Sequence, residues 1–209
     1  MQTLVEGAVA QALRDSGGGV IRLYVAACAE RMAPLFIGLR AGVPGREADL
    51  DYCVRSVRDL WHTVQPLADA AERVSVLERF PELQPGEEGT TDVAGTYAFF
   101  GVLVLRHALL ANSTGDARDA VACGHAALTA VGMLDQNLAG AGFSAEEQRL
   151  QSLSATGDAA GLWEASVTAG RERFRAVLGR TGHGGGSAPQ LAARAKQAAQ
   201  SRVTHSGRL

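Results

Sequence analysis

Between Val93 and Ala111 the chain reads VAGTYAFFGVLVLRHALLA, nineteen residues with one formally charged side chain, Arg106. A run of this kind must be covered, either by lipid or by other parts of the protein. Gly95, Thr96 and Gly101 dilute it, and Arg106 and His107 lie well inside it, where an uncompensated guanidinium is costly in lipid. The run therefore predicts the central helix of a helical domain, apolar on all sides because other helices surround it, with no membrane partner. The chain is long enough to supply those helices. Its 209 residues are 46% hydrophobic and 20% charged, which suits one sizeable core. With only 5% aromatic residues, that core is packed from small side chains on closely approaching helices.

The flanking segments carry helical spacing. Residues 3 to 15 form a short pattern ended by Ser16-Gly17-Gly18-Gly19, read as a loosely tied N-terminal helix. From Val20, the positions Ile21, Val25, Cys28, Met32 and Leu39 make one apolar stripe of a long helix. Pro34 lies within it and predicts a kink or restart near Glu30 to Pro34. A further amphipathic helix is expected from about Arg46 to Gln65. Pro66 is expected to open the next one at its first position. The stretch PELQPGEEGTTD, from Pro81 to Asp92, reads as a loop, with Thr91 or Asp92 as the N-cap of the central helix. Beyond the turn at Asn112 to Asp116 comes a helix reaching about Ala139. Ser144 and Glu147 then form a capping-box signature for another. A last packed helix starts near Asp158, with Trp163, Val167, Gly170, Phe174 and Val177 or Leu178 inward.

Sustained alternation of apolar and polar residues is missing, so the expected fold is all-α. It is a single-domain bundle of about seven or eight helices around the central apolar one, followed by a flexible C-terminal extension. Residues 1–19 form the N-terminal helix and Gly-rich connection, 20–179 the helical domain, and 180–209 a Gly-rich linker with a basic helix or tail.

Charge and cysteine usage narrow the function. The net charge is -2, yet Arg194, Lys196, Arg202 and Arg208 lie in a tail without acids, so the body is the acidic part. An acidic body argues against nucleic acid as partner. Cys28, Cys53 and Cys123 are odd in number and lack a CxxC spacing. They read as reduced, buried small hydrophobes of a cytoplasmic protein. No secretion signal is recognisable at the N-terminus.

Phosphate loops, GxSxG, HExxH and paired-cysteine zinc spacing are all missing, so no catalytic residue, cofactor or metal is assigned. What remains is a set of polar residues in apolar helices: Glu30, Arg31, Arg106, His107, His125 and Asp135. Burying them is expensive unless they meet one another or a cleft. Two readings follow. In one, they form a polar network that holds the helices in register. In the other, Glu30, His107, His125 and Asp135 make a metal or acid-base site between three helices. The acids Glu82, Glu87, Glu88 and Asp92 likewise read either as a solvated loop or as a surface that steers a basic partner.

Two segments carry a resemblance. Val25-Ala26-Ala27-Cys28-Ala29-Glu30-Arg31-Met32-Ala33-Pro34-Leu35-Phe36 resembles the early helix of the all-helical immunity proteins of bacterial polymorphic-toxin systems. Ala117-Arg118-Asp119-Ala120-Val121-Ala122-Cys123-Gly124-His125-Ala126-Ala127 resembles the later Ala-Gly-His-Ala helix of that family. The Ala-Glu-Arg-x-x-Pro string and Leu60-Trp61 are more distantly similar to the YjaG-type helical domain of unknown function. The immunity resemblance implies a protein that binds and blocks one cognate toxin without catalysis, and it singles out Glu30, Arg31, Gly124 and His125. The alternatives are a metal-binding or enzymatic helical protein, or a helical scaffold or regulator that forms a homodimer.

Overall fold

The computed structural model describes residues 5–62, 65–84, 92–138 and 140–181. Among the described residues there are eight α-helices and no strand. They are α1 (Gly7–Asp15), α2 (Gly18–Arg40), α3 (Glu47–His62), α4 (Ala70–Leu77), α5 (Val93–Thr114), α6 (Ala117–Asn137), α7 (Phe143–Ala155) and α8 (Leu162–Thr181). A 3-10 turn at Pro81–Leu83 precedes α5. The all-α expectation holds. Glu87, Glu88 and the basic tail beyond Thr181 lie outside the described residues.

The hub of the bundle is α2 rather than α5. α2 packs most extensively against α5 and also touches α3, α6, α7 and α8. It continues as one helix through Pro34, so the expected restart does not occur. The accommodation comes from α8. Gly170 sits so close that an added Cβ would lie 3.0 Å from the Pro34 ring and 3.1 Å from the carbonyl oxygens of Arg31 and Glu30. One turn on, the Phe174 ring occupies the space that a Cβ on Gly38 would need. Pairing Gly170 with Pro34 and Phe174 with Gly38 makes α8 run alongside α2 in the same direction.

α5 begins where Asp92 accepts a hydrogen bond from the Gly95 amide, so the expected N-cap is formed. It ends at Gly115, whose φ of 66° places it in the left-handed region. The face with Ala98, Gly101, Val102, Leu105, Ala108, Leu109 and Asn112 is buried. Gly101 brings α5 to the α2 backbone, since a Cβ there would lie 3.0 Å from the Phe36 nitrogen. The opposite face is not enclosed. Thr96, Phe99, Phe100, Leu103, His107 and Leu110 remain half-buried, which corrects the expectation of cover on all sides. α5 has the length and a mean hydropathy, 1.6, that crossing a membrane would need.

Other expectations are revised. Val9 and Leu13 of α1 are buried and α1 packs on α6 and α7, so the N-terminal helix is docked rather than loose. Pro66 does not open a helix: α4 starts at Ala70, and the Leu67 amide instead donates to Asn112 Oδ1 at 2.8 Å. α7 begins after Gly142, whose φ is 69°, so Ser144 lies inside the helix and no capping box forms. Trp163 is 40% exposed, while its neighbour Leu162 is fully buried. Gly170, Phe174 and Val177 are inward as expected, so the departure is confined to the first turns of α8, where Leu162 and Ser166 take the buried positions expected of Trp163 and Val167.

Candidate functional site

The buried polar network is real but differently composed. At its centre is Glu147 of α7, fully buried between Arg31 of α2 and Arg173 of α8. Arg31 donates from Nε and Nη2 to the two carboxylate oxygens, each at 2.8 Å. Arg173 Nη2 donates to Oε2 at 2.6 Å and Gln151 Nε2 to Oε1 at 2.8 Å. Gln151 in turn accepts from the Tyr24 hydroxyl at 2.9 Å. Burial by itself would raise the Glu147 carboxyl, but the two guanidinium groups outweigh it and hold its pKa at about 2.

The arginines are not equally served. Burial is the largest influence on both, yet Arg31 ends above its ordinary value and Arg173 below it. The geometry explains the split. Arg31 has both Glu147 oxygens, whereas Arg173 Nε has no partner and its Nη1 reaches only the Met32 sulfur at 3.6 Å. The cluster ties α7 and α8 to the hub and leaves no open side for a substrate. It is a structural centre.

The residues expected to join it are dispersed. Glu30 and Arg31 are buried. Arg106 instead pairs with Glu78 on the surface, Nη2 to Oε1 at 2.6 Å. His107 is half-buried with Nδ1 unpartnered, and burial, aided by Arg106, pushes its pKa down against the pull of Asp119. His125 is half-buried, and burial lowers its pKa too. Asp135 accepts from the Phe143 and Ser144 amides at 2.8 and 2.7 Å, holding the start of α7. Burial acts to raise the Asp135 carboxyl, but those bonds win and its pKa is lowered. Of Glu30, His107, His125 and Asp135, the structure gives a local role to Asp135, at the start of α7. Among the described residues, no three histidine, cysteine, aspartate or glutamate side chains gather as a metal-ligand set.

The acidic-loop expectation divides in the same way. Asp92 is the N-cap of α5. The Glu82 side chain is only 3% exposed, held by Arg40 Nε at 2.7 Å and by Arg46 Nη1 and Nη2 at 3.0 and 2.6 Å. Its carboxyl is lowered by those bonds despite burial. Glu82 is therefore not free to steer a partner, because Arg40 at the end of α2 and Arg46 beyond it already neutralise it. Arg46 also reaches Asp49 at 2.6 Å and lies over the Phe36 and Phe80 rings, 5.5 and 5.8 Å from their centres.

This ion-pair cluster forms one wall of a cleft of about 630 Å³. Phe99 and Phe100 of α5 and Met133 of α6 line it, with Gly95 and Thr96 at the first turn of α5 and Pro81 and Gln84 from the 3-10 turn. The open face of α5 thus ends in this cleft, with two half-buried aromatic rings beside a covered carboxylate and two arginines. Sequence reading placed Phe99 and Phe100 in the core run and passed over Arg40 and Arg46. Helical spacing from Thr96 through Phe100, Leu103 and His107 was the available signal for an open stripe.

Set against known proteins, the chain matches no family model, no curated protein and no solved structure.

Proposed function

We propose that the chain is a binding protein without catalysis of its own, an immunity protein that neutralises a cognate bacterial toxin in the cytoplasm. The observation that carries the binding reading is the cleft at the head of α5. Aromatic side chains and arginine are the commonest anchors of protein interfaces, and methionine adapts to irregular surfaces. Phe99, Phe100, Met133, Arg40 and Arg46 all contribute to this one depression. The toxin as partner rests on the resemblance of residues 25–36 and 117–127 to the immunity family. The partner would cover the rings, while the Glu82 cluster sets the polar rim.

Co-expression with any toxin domain found encoded beside this gene tests the reading. The wild-type chain should restore growth and bind the purified toxin. Phe99→Arg and Phe100→Arg should each weaken binding at least about tenfold, with unchanged circular dichroism, because a central anchor contributes upward of ~1.4 kcal/mol. His125→Ala, away from the cleft, should bind normally. A wild-type chain that neither binds nor protects would remove the toxin; binding indifferent to both arginine substitutions would remove the cleft.

A further inference from the structure

We propose that the cleft at the head of α5 takes an acidic segment of the partner protein, with its carboxylate on Arg40 and its flanking apolar side chains against Phe99, Phe100 and Met133. This rests on the reading of the cleft as a binding surface and adds the chemistry of what fills it. Arg40 and Arg46 are used unequally. Arg46 is fully spent: Nε donates to Asp49 at 2.6 Å, and Nη1 and Nη2 donate to the two Glu82 oxygens at 3.0 and 2.6 Å. Arg40 donates only from Nε, to Glu82 Oε1 at 2.7 Å. Its Nη1 and Nη2 have no acceptor among the described residues, and its side chain keeps 19% of its surface exposed at the cleft. Those two nitrogens form the end of the guanidinium fork, an edge that matches both oxygens of a carboxylate.

The charges lining the cleft point the same way. Arg40 and Arg46 contribute two positive charges and Glu82 one negative, which leaves one positive charge over. The nearby acids are occupied, since Asp49 accepts from Arg46 and Asp92 from the Gly95 amide. A basic segment would meet an unpaired guanidinium, whereas an acidic one completes the set. Arg40 is also held ready. Arg46 lies over the Phe36 and Phe80 rings and fixes Glu82, which in turn fixes Arg40, so little side-chain freedom is lost when a carboxylate arrives. The rest of the wall is apolar. Phe99 and Phe100 meet edge to face with ring centroids 5.2 Å apart, both half-buried, and Met133 joins them from α6. From there the half-buried stripe of Leu103, His107 and Leu110 continues along α5. The segment that fits carries an aspartate or glutamate beside large apolar residues, because a lone carboxylate would leave the rings wet.

A random-peptide library displayed on phage is panned against the full chain, and a selected peptide is then titrated by fluorescence anisotropy. The expected selection is an aspartate or glutamate next to large apolar residues. Replacing that acid by its amide in the peptide should weaken binding about tenfold, the scale of one charge-assisted pair. Arg40→Gln should weaken the acidic peptide by a similar factor and leave the amide peptide unchanged, because the two losses are one contact. Phe99→Ala should weaken both peptides alike. Arg149→Gln, on the exposed side of α7, should bind as wild type. Circular dichroism checks each variant, and the amide peptide on the wild-type chain carries the test should Arg40→Gln fail to fold. Selected peptides that lack an acid, or an acidic peptide indifferent to Arg40→Gln, overturn the carboxylate contact; if they are still lost on Phe99→Ala, the cleft stands as a binding surface. Peptides indifferent to Phe99→Ala, or no enrichment at all, overturn both. No toxin enters the experiment, so a failure to protect cells leaves its result standing.

Discussion

Two glutamates in this molecule each sit between two arginines, and water reaches the two groups very differently. Glu147 accepts from Arg31 and Arg173 with all three side chains fully buried. Glu82 accepts from Arg40 and Arg46, whose side chains keep 19% and 13% of their surface exposed. Distances hardly distinguish them: 2.6 to 2.8 Å in the core and 2.6 to 3.0 Å at the rim. What differs is the state left behind when the carboxylate goes. Arg40 and Arg46 can turn toward solvent, whereas Arg31 and Arg173 have only Ser166, Cys28 and Met32 within reach. A charge cluster is therefore better judged by the stranded partner than by the bonds it makes.

The largest expected effect follows directly. Glu147→Gln leaves two guanidinium groups facing one another without a counter-charge, a loss expected to cost about 3–5 kcal/mol. Urea unfolding followed by circular dichroism measures it. A loss below ~1 kcal/mol would mean that water enters between α2, α7 and α8, and the contrast with Glu82 would collapse.

Acid should act through the same group. The Glu147 carboxyl is held at about 2, below its ordinary value of 4.5. A carboxyl whose pKa is lower in the folded state stabilises fully above its unfolded pKa and loses that contribution as pH falls. The window is therefore about pH 4.5 down to 2, and the amount on the order of 3 kcal/mol, at ~1.4 kcal/mol per pKa unit. Other lowered carboxyls, Glu82, Asp135 and Glu146, titrate in the same direction. Subtracting the acid profile of Glu147→Gln from that of the wild type isolates the core contribution. Parallel profiles between pH 5 and pH 3 would contradict it.

The two clusters also differ in how far the sequence reveals them. The helices are legible because their apolar residues recur at three-and-four spacing, and the α5 run announces a core. Rank within the core is not legible, since Pro34 reads in the sequence as a break in α2 and the helix's centrality depends on Gly170 and Gly38 accepting close neighbours. Glu147 was misread for a local reason. Ser144 and Glu147 have capping-box spacing wherever the helix begins, and Gly142 with its positive φ moves that start upstream. A signal did exist. Ser166, Ala169, Gly170, Arg173, Phe174 and Val177 fall on one buried stripe of α8, so Arg173 occupies an inward position. The rim cluster was hidden by distance along the chain: Glu82 is 42 residues from Arg40 and 36 from Arg46.

At the rim, Glu82→Gln should cost only about 1–2 kcal/mol, because the freed guanidinium groups regain water. Salt sharpens the contrast. Screening weakens exposed charge pairs far more than buried ones, so molar sodium chloride should shrink the difference between wild type and Glu82→Gln while leaving that for Glu147→Gln intact. The experiment is a urea titration of both variants at low and high salt. Equal salt sensitivity would place the two clusters in the same dielectric class, against their burial.

The Arg106–Glu78 pair completes the series at its weak end. The side chains are 29% and 46% exposed, and the contact joins α5 to the residue after α4 across the surface. Its bonds are as short as those in the core, 2.6 and 2.9 Å. If bond length set the strength, Glu78→Ala would rival Glu147→Gln. Burial predicts the reverse, a loss of ~0.5 kcal/mol or less, because water replaces the carboxylate at once and two long side chains recover their rotamer freedom. A double-mutant cycle with Arg106→Ala separates this coupling from lost packing of the arginine stem. A coupling above ~1.5 kcal/mol would show that the open face of α5 is drier than its exposure indicates, and would draw Arg106 into the same class as Arg46.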